Sequence, residues 1–252
     1  MPEDQPECHY SFWGPLSTIL WGVFIVALFI IAGVITVVLY VAFTIGKISP
    51  GQAPAVLMPL KYDGLLLSFS TFSSAVVCVL ATVAIVKLRR GSNLREYLGL
   101  TLPNRRQFFQ WSSAIVAYIA LSDGFSLLLG KPVVTEFMSK TYSSLQSPWI
   151  LWVALLLAAP LSEEAFFRGF LIKGLSASAF RWYGAVIVSS AAWAMIHIQY
   201  DVYGIVEIFV LGLLLGAARV KTGSIILTMF LHFVCNLVAT AEAAIHAHRL
   251  FA

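Results

Sequence analysis

The chain has 252 residues and a formal net charge of +4, and 60% of its residues are hydrophobic whereas only 11% are charged. An ordinary soluble domain carries roughly 25% charged residues, so this composition leaves too few polar groups to cover a soluble fold of this size. It therefore predicts an integral membrane protein. The basic residues lie at the ends of apolar runs and form no patch with interleaved aromatic residues, so no nucleic-acid partner is expected.

Apolar segments divide the chain into predicted membrane spans. A span takes about 20 residues, and in lipid it must satisfy its own backbone polar groups, which makes each one a helix. The expected fold is an all-α polytopic transmembrane bundle that forms a single domain over residues 1–252. It has seven spans, or eight if the first segment contains a break or if 131–148 dips into the membrane. The segments are 16–43, 65–86, 111–129, 149–175, 183–198, 203–218 and 225–244.

The basic loops predict the orientation of these spans. The densest basic stretch runs from Lys87 to Arg106, and the positive-inside rule places it in the cytoplasm. Counting spans from this loop puts the N-terminus in the cytoplasm, together with Lys173 and Arg219. No cleavable signal peptide is expected, because the first apolar run is far longer than the hydrophobic region of a signal peptide.

The fourth segment holds charged residues where a membrane makes them costly, at about 2.5–3.5 kcal/mol each near the bilayer centre. Glu164 and Arg168 are four residues apart, so they share a helical face and can neutralise each other. Glu163 points about 100° away and has no local counter-charge, which leaves it available for chemistry. Pro160 removes the hydrogen bond to the carbonyl of Leu156 and predicts a kink that admits water. The alternative is that the whole cluster is a structural salt bridge.

Two further polar motifs follow in the fifth and seventh segments. His197 lies near the end of the fifth segment, where an interfacial or hydrogen-bonded histidine is the alternative to a catalytic one. His232 and Asn236 share a helical face and can aim two donors at one point, as an oxyanion site requires. The alternative for this pair is a polar clasp between helices. Together with Glu163 they form a complete set for amide hydrolysis, which needs a base for water and donors for the oxyanion.

These motifs resemble those of the CAAX prenyl protease and bacteriocin-processing family, also called the CPBP or Abi family of intramembrane glutamate peptidases. The family motifs are Glu-Glu-x-x-x-Arg, aromatic-x-x-x-His and His-x-x-x-Asn. Here they occur in the same order at 163–168, 193–197 and 232–236. The resemblance covers about 149–240, which is the expected peptidase core. One departure is Trp193, where the family usually has phenylalanine, and it is interpreted as a conservative change of a packing residue.

The resemblance implies an endopeptidase that uses glutamate-activated water, with no metal and no cofactor. Carried over by motif, Glu163 and His197 activate the water. His232 and Asn236 stabilise the oxyanion, and the Glu164–Arg168 pair supports the geometry. The implied substrate is a membrane-associated peptide or protein, in CAAX-type or in bacteriocin and peptide processing. The compact chain favours a prokaryotic cell membrane over the endoplasmic reticulum.

Three other functions stay open from the residues alone. Two glutamates and two histidines could form a zinc metallopeptidase, although no His-Glu-x-x-His is present and the ligands are scattered over three helices. A non-enzymatic immunity or scaffold protein could retain the motifs. A transporter could use the carboxylates as a proton relay, although the chain shows no internal repeat. Asp123 and Glu207, which also lie in apolar segments, are interpreted as packing residues.

Overall fold

The computed structural model describes residues 11–46, 51–177 and 181–251, and within these ranges all regular structure is helical. Six of the helices are long and apolar enough to cross a membrane. The prediction of an all-α, multi-pass membrane protein is therefore confirmed for this part of the chain. Residues 1–10, which bear on the signal-peptide prediction, lie outside the described residues.

The described residues form ten helices, and a short 3-10 turn occupies Pro59–Tyr62. The six candidate spans are α1, α3, α5, α7, α9 and α10. The bounds are α1 Pro15–Thr44, α2 Ala53–Leu57, α3 Gly64–Leu88, α4 Leu94–Leu98, α5 Arg105–Leu128, α6 Glu136–Ser143, α7 Trp149–Leu175, α8 Arg181–Met195, α9 Val202–Thr222 and α10 Ile225–Phe251.

The count of seven or eight spans is not confirmed, because the predicted fifth span is a short helix. Helix α8 has 15 residues. At about 1.5 Å per residue it is roughly 22 Å long, whereas the hydrocarbon core is about 30 Å thick. The chain then turns, and the Asp201 carboxylate caps α9 by accepting a hydrogen bond from Gly204 N. This bond and the ammonium of Lys131 hold the pKa of Asp201 below its usual range.

Helix α7 is not a regular α-helix. It contains two π-helical stretches, Ala154–Ala158 and Glu164–Leu171, on either side of the α-helical turn Ala159–Glu163. A π-helix pairs each carbonyl with the N–H five residues later, and such stretches are frequent at functional sites. The Glu163–Glu164 pair lies at the junction between the α-helical turn and the second π stretch.

The π register changes which carbonyl Pro160 leaves without a partner. The N–H of Ala159 bonds to the carbonyl of Ala154, which is the five-residue spacing. In this register the next carbonyl, that of Leu155, would pair with residue 160, and proline has no N–H to give. The sequence prediction assumed α-helical spacing and named Leu156. The structure therefore corrects the freed carbonyl by one residue, to Leu155.

Helix α7 packs centrally, against α1 and α3 and against α8 and α10. Its side chains Phe166, Phe167 and Phe170 are all less than 5% exposed. Helices α8 and α9 pack closely, since a Cβ built on Gly212 of α9 would lie 2.9 Å from the Cβ of Ser190 in the second half of α8. This close packing holds the second half of α8 beside the glutamates of α7.

Candidate active site

All four residues predicted to be catalytic line one cavity of about 350 Å³. Glu163 reaches it from α7, and His197 reaches it from the turn after α8. His232 and Asn236 reach it from α10. The three motifs, which are spread over residues 163–236, therefore converge in space. The predicted supporting residues Glu164 and Arg168 lie behind this lining and are fully buried, with exposures of 0% and 1%.

A buried ionic network supports the cavity wall. Oε1 of Glu164 lies 3.0 Å from an Arg168 guanidinium nitrogen and 3.0 Å from Nδ1 of His232. A carboxylate only accepts hydrogen bonds, so Nδ1 of His232 donates its proton to Glu164. The other ring nitrogen, Nε2, lies 3.9 Å from Oε2 of Glu163. His232 therefore stands between the two glutamates, and the predicted Glu164–Arg168 contact is present.

Trp193 contacts Glu163, Arg168 and the two histidines of the site. Its indole N–H donates to Oε2 of Glu163 over 2.5 Å. Its ring meets His197 and His232 edge-on at centroid distances of 5.3 and 5.2 Å, and the Arg168 guanidinium lies 4.2 Å from its centroid. The interpretation of Trp193 as a packing residue was incomplete. The available signal was the indole N–H itself, which phenylalanine lacks and which needs an acceptor when buried.

The hydrogen bond of His197 determines which of its nitrogens is free. Nδ1 lies 2.8 Å from the carbonyl oxygen of Trp193. Because a carbonyl only accepts, Nδ1 carries the proton, and in the neutral ring Nε2 keeps its lone pair. The ring of Tyr200 stacks parallel to His197 at 6.3 Å, and both residues line the cavity.

Asn236 contacts the backbone of α7 as well as the cavity. Its Nδ2 donates to the carbonyl of Leu155 over 2.7 Å. This is the carbonyl that Pro160 leaves without a helical partner, so the amide of α10 satisfies it instead. Sequence reasoning placed Asn236 in the site but did not foresee this second contact.

Two buried side chains that sequence reasoning did not assign to the site hold the second π stretch. Ser189 Oγ donates to the carbonyl of Phe167 over 2.8 Å, and Nε of Arg219 donates to the carbonyl of Arg168 over 3.1 Å. Arg219 had been interpreted only as a basic residue at a span end. Both contacts depend on carbonyls of the π-helical backbone, which no spacing in the sequence reveals.

The same cavity extends to a second group of acidic residues. Asp123, Glu207 and Glu242 all line it. Glu207 accepts a hydrogen bond from Ser122 Oγ over 2.6 Å, and its backbone carbonyl accepts one from the hydroxyl of Tyr118 over 2.8 Å. These contacts agree with the interpretation of Glu207 as a packing residue. That interpretation did not include its position in the cavity lining.

In the ranges 11–46, 51–177 and 181–251, no three His, Cys, Asp or Glu side chains are grouped so that they could hold a metal ion.

Fold and site together define a multi-pass helical protein with a buried glutamate–histidine centre. Residues 145–238 match the family described as type II CAAX prenyl endopeptidase, Rce1-like. The family recognised from the three motifs is thereby confirmed: this stretch is an Rce1-like domain of the CPBP family. The chain is also 31% identical over 118 residues to an "Uncharacterized 24.3 kDa protein" of Escherichia coli, a match that covers 42% of this chain and 52% of that protein. It thus spans about half the length of that relative. No solved structure matches the chain significantly.

Proposed function

We propose that this protein is an intramembrane endopeptidase that hydrolyses a peptide bond with water activated by a glutamate. The observation that carries the proposal is the convergence of Glu163, His197, His232 and Asn236 on one cavity. Its volume of about 350 Å³ lies within the range of roughly 300–1,000 Å³ found for small-ligand sites. The Rce1-like domain at 145–238 supports the same class of reaction.

Glu163 acts as the general base in this mechanism. The indole of Trp193 holds one of its oxygens, and its side chain is 17% exposed, so the carboxylate is oriented and still accessible. It takes a proton from a water molecule whose oxygen attacks the substrate carbonyl carbon. The free lone pair on Nε2 of His197 accepts a hydrogen bond from the same water and orients it.

His232 and Asn236 stabilise the oxyanion that this attack creates. His232 acts here as an imidazolium held between the carboxylates of Glu163 and Glu164, so Nδ1–H donates to Glu164 and Nε2–H donates to the oxyanion. Nδ2 of Asn236 carries two protons, of which one bonds to Leu155 and the second is available. When the intermediate collapses, the C–N bond breaks and the proton taken up by Glu163 passes to the leaving nitrogen. The Glu164–Arg168 pair fixes the His232 ring throughout.

The substrate is a membrane-associated peptide or protein, of the kind cut in CAAX-type or in bacteriocin and peptide processing. The site lies between helices that are long enough to cross a bilayer, which restricts access to substrates at or within the membrane. We place the protein in a prokaryotic cell membrane, with the N-terminus and the basic loop from Lys87 to Arg106 in the cytoplasm.

Quantitative membrane proteomics in cells that lack the protein tests this function. Cells are complemented with the wild-type chain, with Glu163→Gln, or with Glu136→Gln as a matched control. Glu136 is an exposed residue of α6 that does not line the cavity. We expect at least one membrane peptide to accumulate uncut in the Glu163→Gln cells and to be cleaved in the other two. If Glu163→Gln at equal expression restores every processing event, the peptidase function is wrong and a binding or immunity role replaces it.

A further inference from the structure

A second pocket, separate from the catalytic cavity, lies at one end of the helical bundle. It has a volume of about 700 Å³, and none of its lining residues lines the catalytic cavity. The loop between α3 and α5, the ends of α7 and α9, and the beginning of α8 enclose it. Two candidate spans end here, so the pocket lies at a membrane surface. Its charged lining residues are Arg95, Glu96, Lys173 and Arg219.

Arg219 is the deepest cation of this pocket. Its side chain is only 8% exposed. A Cβ built on Gly99 would lie 2.6 Å from its Cζ, so the guanidinium packs directly against the loop after α4. In the part of the chain that the structure describes, Nε donates to the carbonyl of Arg168 and no carboxylate pairs with Arg219. The two Nη nitrogens have no hydrogen-bond partner there, yet they are not sealed from the pocket.

The lining of the pocket as a whole carries more positive than negative charge. Lys173 is close enough to Arg219 to be repelled by it and close enough to Glu96 to be attracted by it. Three cations and one carboxylate line the pocket, which leaves a surplus of two positive charges. The C-terminal end of α9 supplies about half a negative charge and balances only part of it. A buried guanidinium without a counter-charge is costly, so an anion in the pocket would stabilise this arrangement.

We propose that this pocket binds a phosphate group at the membrane surface, with Arg219, Lys173 and Arg95 as its ligands. The planar guanidinium has several N–H donors arranged to match phosphate oxygens. Basic pockets between helices at the cytoplasmic surface suit the head groups of anionic phospholipids. The indole of Trp182 also lines the pocket, and tryptophan is favoured at the depth of lipid head groups. The phosphate can belong to such a lipid or be free in solution.

A titration of the full-length protein in a neutral detergent distinguishes these sources. Short-chain phosphatidylglycerol, short-chain phosphatidylcholine and inorganic phosphate are added separately, and the melting temperature is followed to saturation. The test variant is Arg95→Gln with Lys173→Gln, which leaves the buried Arg219 and its backbone contact in place. The matched control is Arg106→Gln, which removes an exposed charge at the start of α5, outside the pocket.

We expect saturable stabilisation by phosphatidylglycerol and none by phosphatidylcholine. The double variant should bind roughly fivefold more weakly for each charge removed, and the control should bind like the wild type. The same pattern with inorganic phosphate alone would identify free phosphate as the source and would still support a phosphate site. The proposal is wrong if neither phosphatidylglycerol nor inorganic phosphate stabilises the protein saturably. It is also wrong if Arg106→Gln weakens binding as much as the double variant does. This binding measurement does not depend on peptidase activity.

Discussion

Exchanging Glu164 for glutamine should destabilise the protein much more than the same exchange at Glu163. Oε1 of Glu164 accepts from both Arg168 and His232 at 3.0 Å, and Arg168 is only 1% exposed. Glutamine removes the negative charge and leaves the guanidinium buried without a counter-ion, which costs about 3–5 kcal/mol. A protein of this size loses about 2–4 °C in melting temperature per kcal/mol, so we expect a decrease of roughly 6–20 °C.

The Glu163→Gln variant provides the comparison. Among the residues that the structure describes, no arginine forms an ion pair with Glu163. Its side chain faces the cavity, and glutamine keeps an acceptor for the Trp193 indole. Its loss of stability should therefore stay near the value for one hydrogen bond, about 1 kcal/mol, while cleavage is abolished. The assay is thermal unfolding of the purified variants in one detergent, with cleavage of the identified membrane peptide measured on the same samples.

A double exchange tests the cause of the instability. Adding Arg168→Met to Glu164→Gln removes the unpaired charge, so the double variant should be more stable than the sum of the two single effects by about 0.5–3 kcal/mol. Strict additivity, or a Glu164→Gln protein that melts with the wild type, would refute the assignment of Glu164 as the counter-ion of Arg168. If Glu164→Gln is stable and inactive while Glu163→Gln unfolds, the roles of the two glutamates are reversed.

Three further predictions concern the site and the topology. Trp193→Phe keeps an aromatic ring but loses the N–H to Glu163. A hydrogen bond to a charged group contributes roughly 1.5–3 kcal/mol, so turnover should fall by about 10- to 150-fold with a smaller change in KM, and an unchanged turnover would contradict this. The purified active protein should contain no stoichiometric zinc, and strong chelators should leave its rate unchanged, whereas one tightly bound metal ion needed for activity would favour the metallopeptidase. A cysteine in place of Lys221 should react with membrane-impermeant reagents only from the cytoplasmic side; labelling in intact cells would reverse the orientation.

Much of the fold follows from local rules that the sequence displays directly. Long apolar runs bounded by charge specify membrane helices, and six of them reach the length of a span. The pairing of Glu164 with Arg168 follows from the rise of a helix, since residues four apart share a face. The number of spans was less predictable, because the run 183–198 is almost long enough by composition. Its helix ends at Met195.

The parts of the site that escaped prediction depend on a change of helical register. Spacing rules assume 3.6 residues per turn, and the π stretches of α7 do not obey them. The contacts of Ser189 and Arg219 with carbonyls of α7 arise only after this change. The hydrogen bond from Trp193 to Glu163 escaped prediction for another reason. The sequence shows the indole N–H donor, but it does not show which residue accepts from it.

Asn236 combines a structural contact with a proposed catalytic one, and a second double exchange separates them. Its Nδ2 satisfies the Leu155 carbonyl because Pro160 offers no N–H. Asn236→Leu should therefore lower stability by about 1–3 kcal/mol and also abolish most cleavage. Adding Pro160→Ala supplies an N–H to that carbonyl within α7, so stability should recover. Cleavage should not, because the oxyanion still lacks its amide donor. If cleavage returns together with stability, Asn236 only positions α7, and the oxyanion is held by His232 without it.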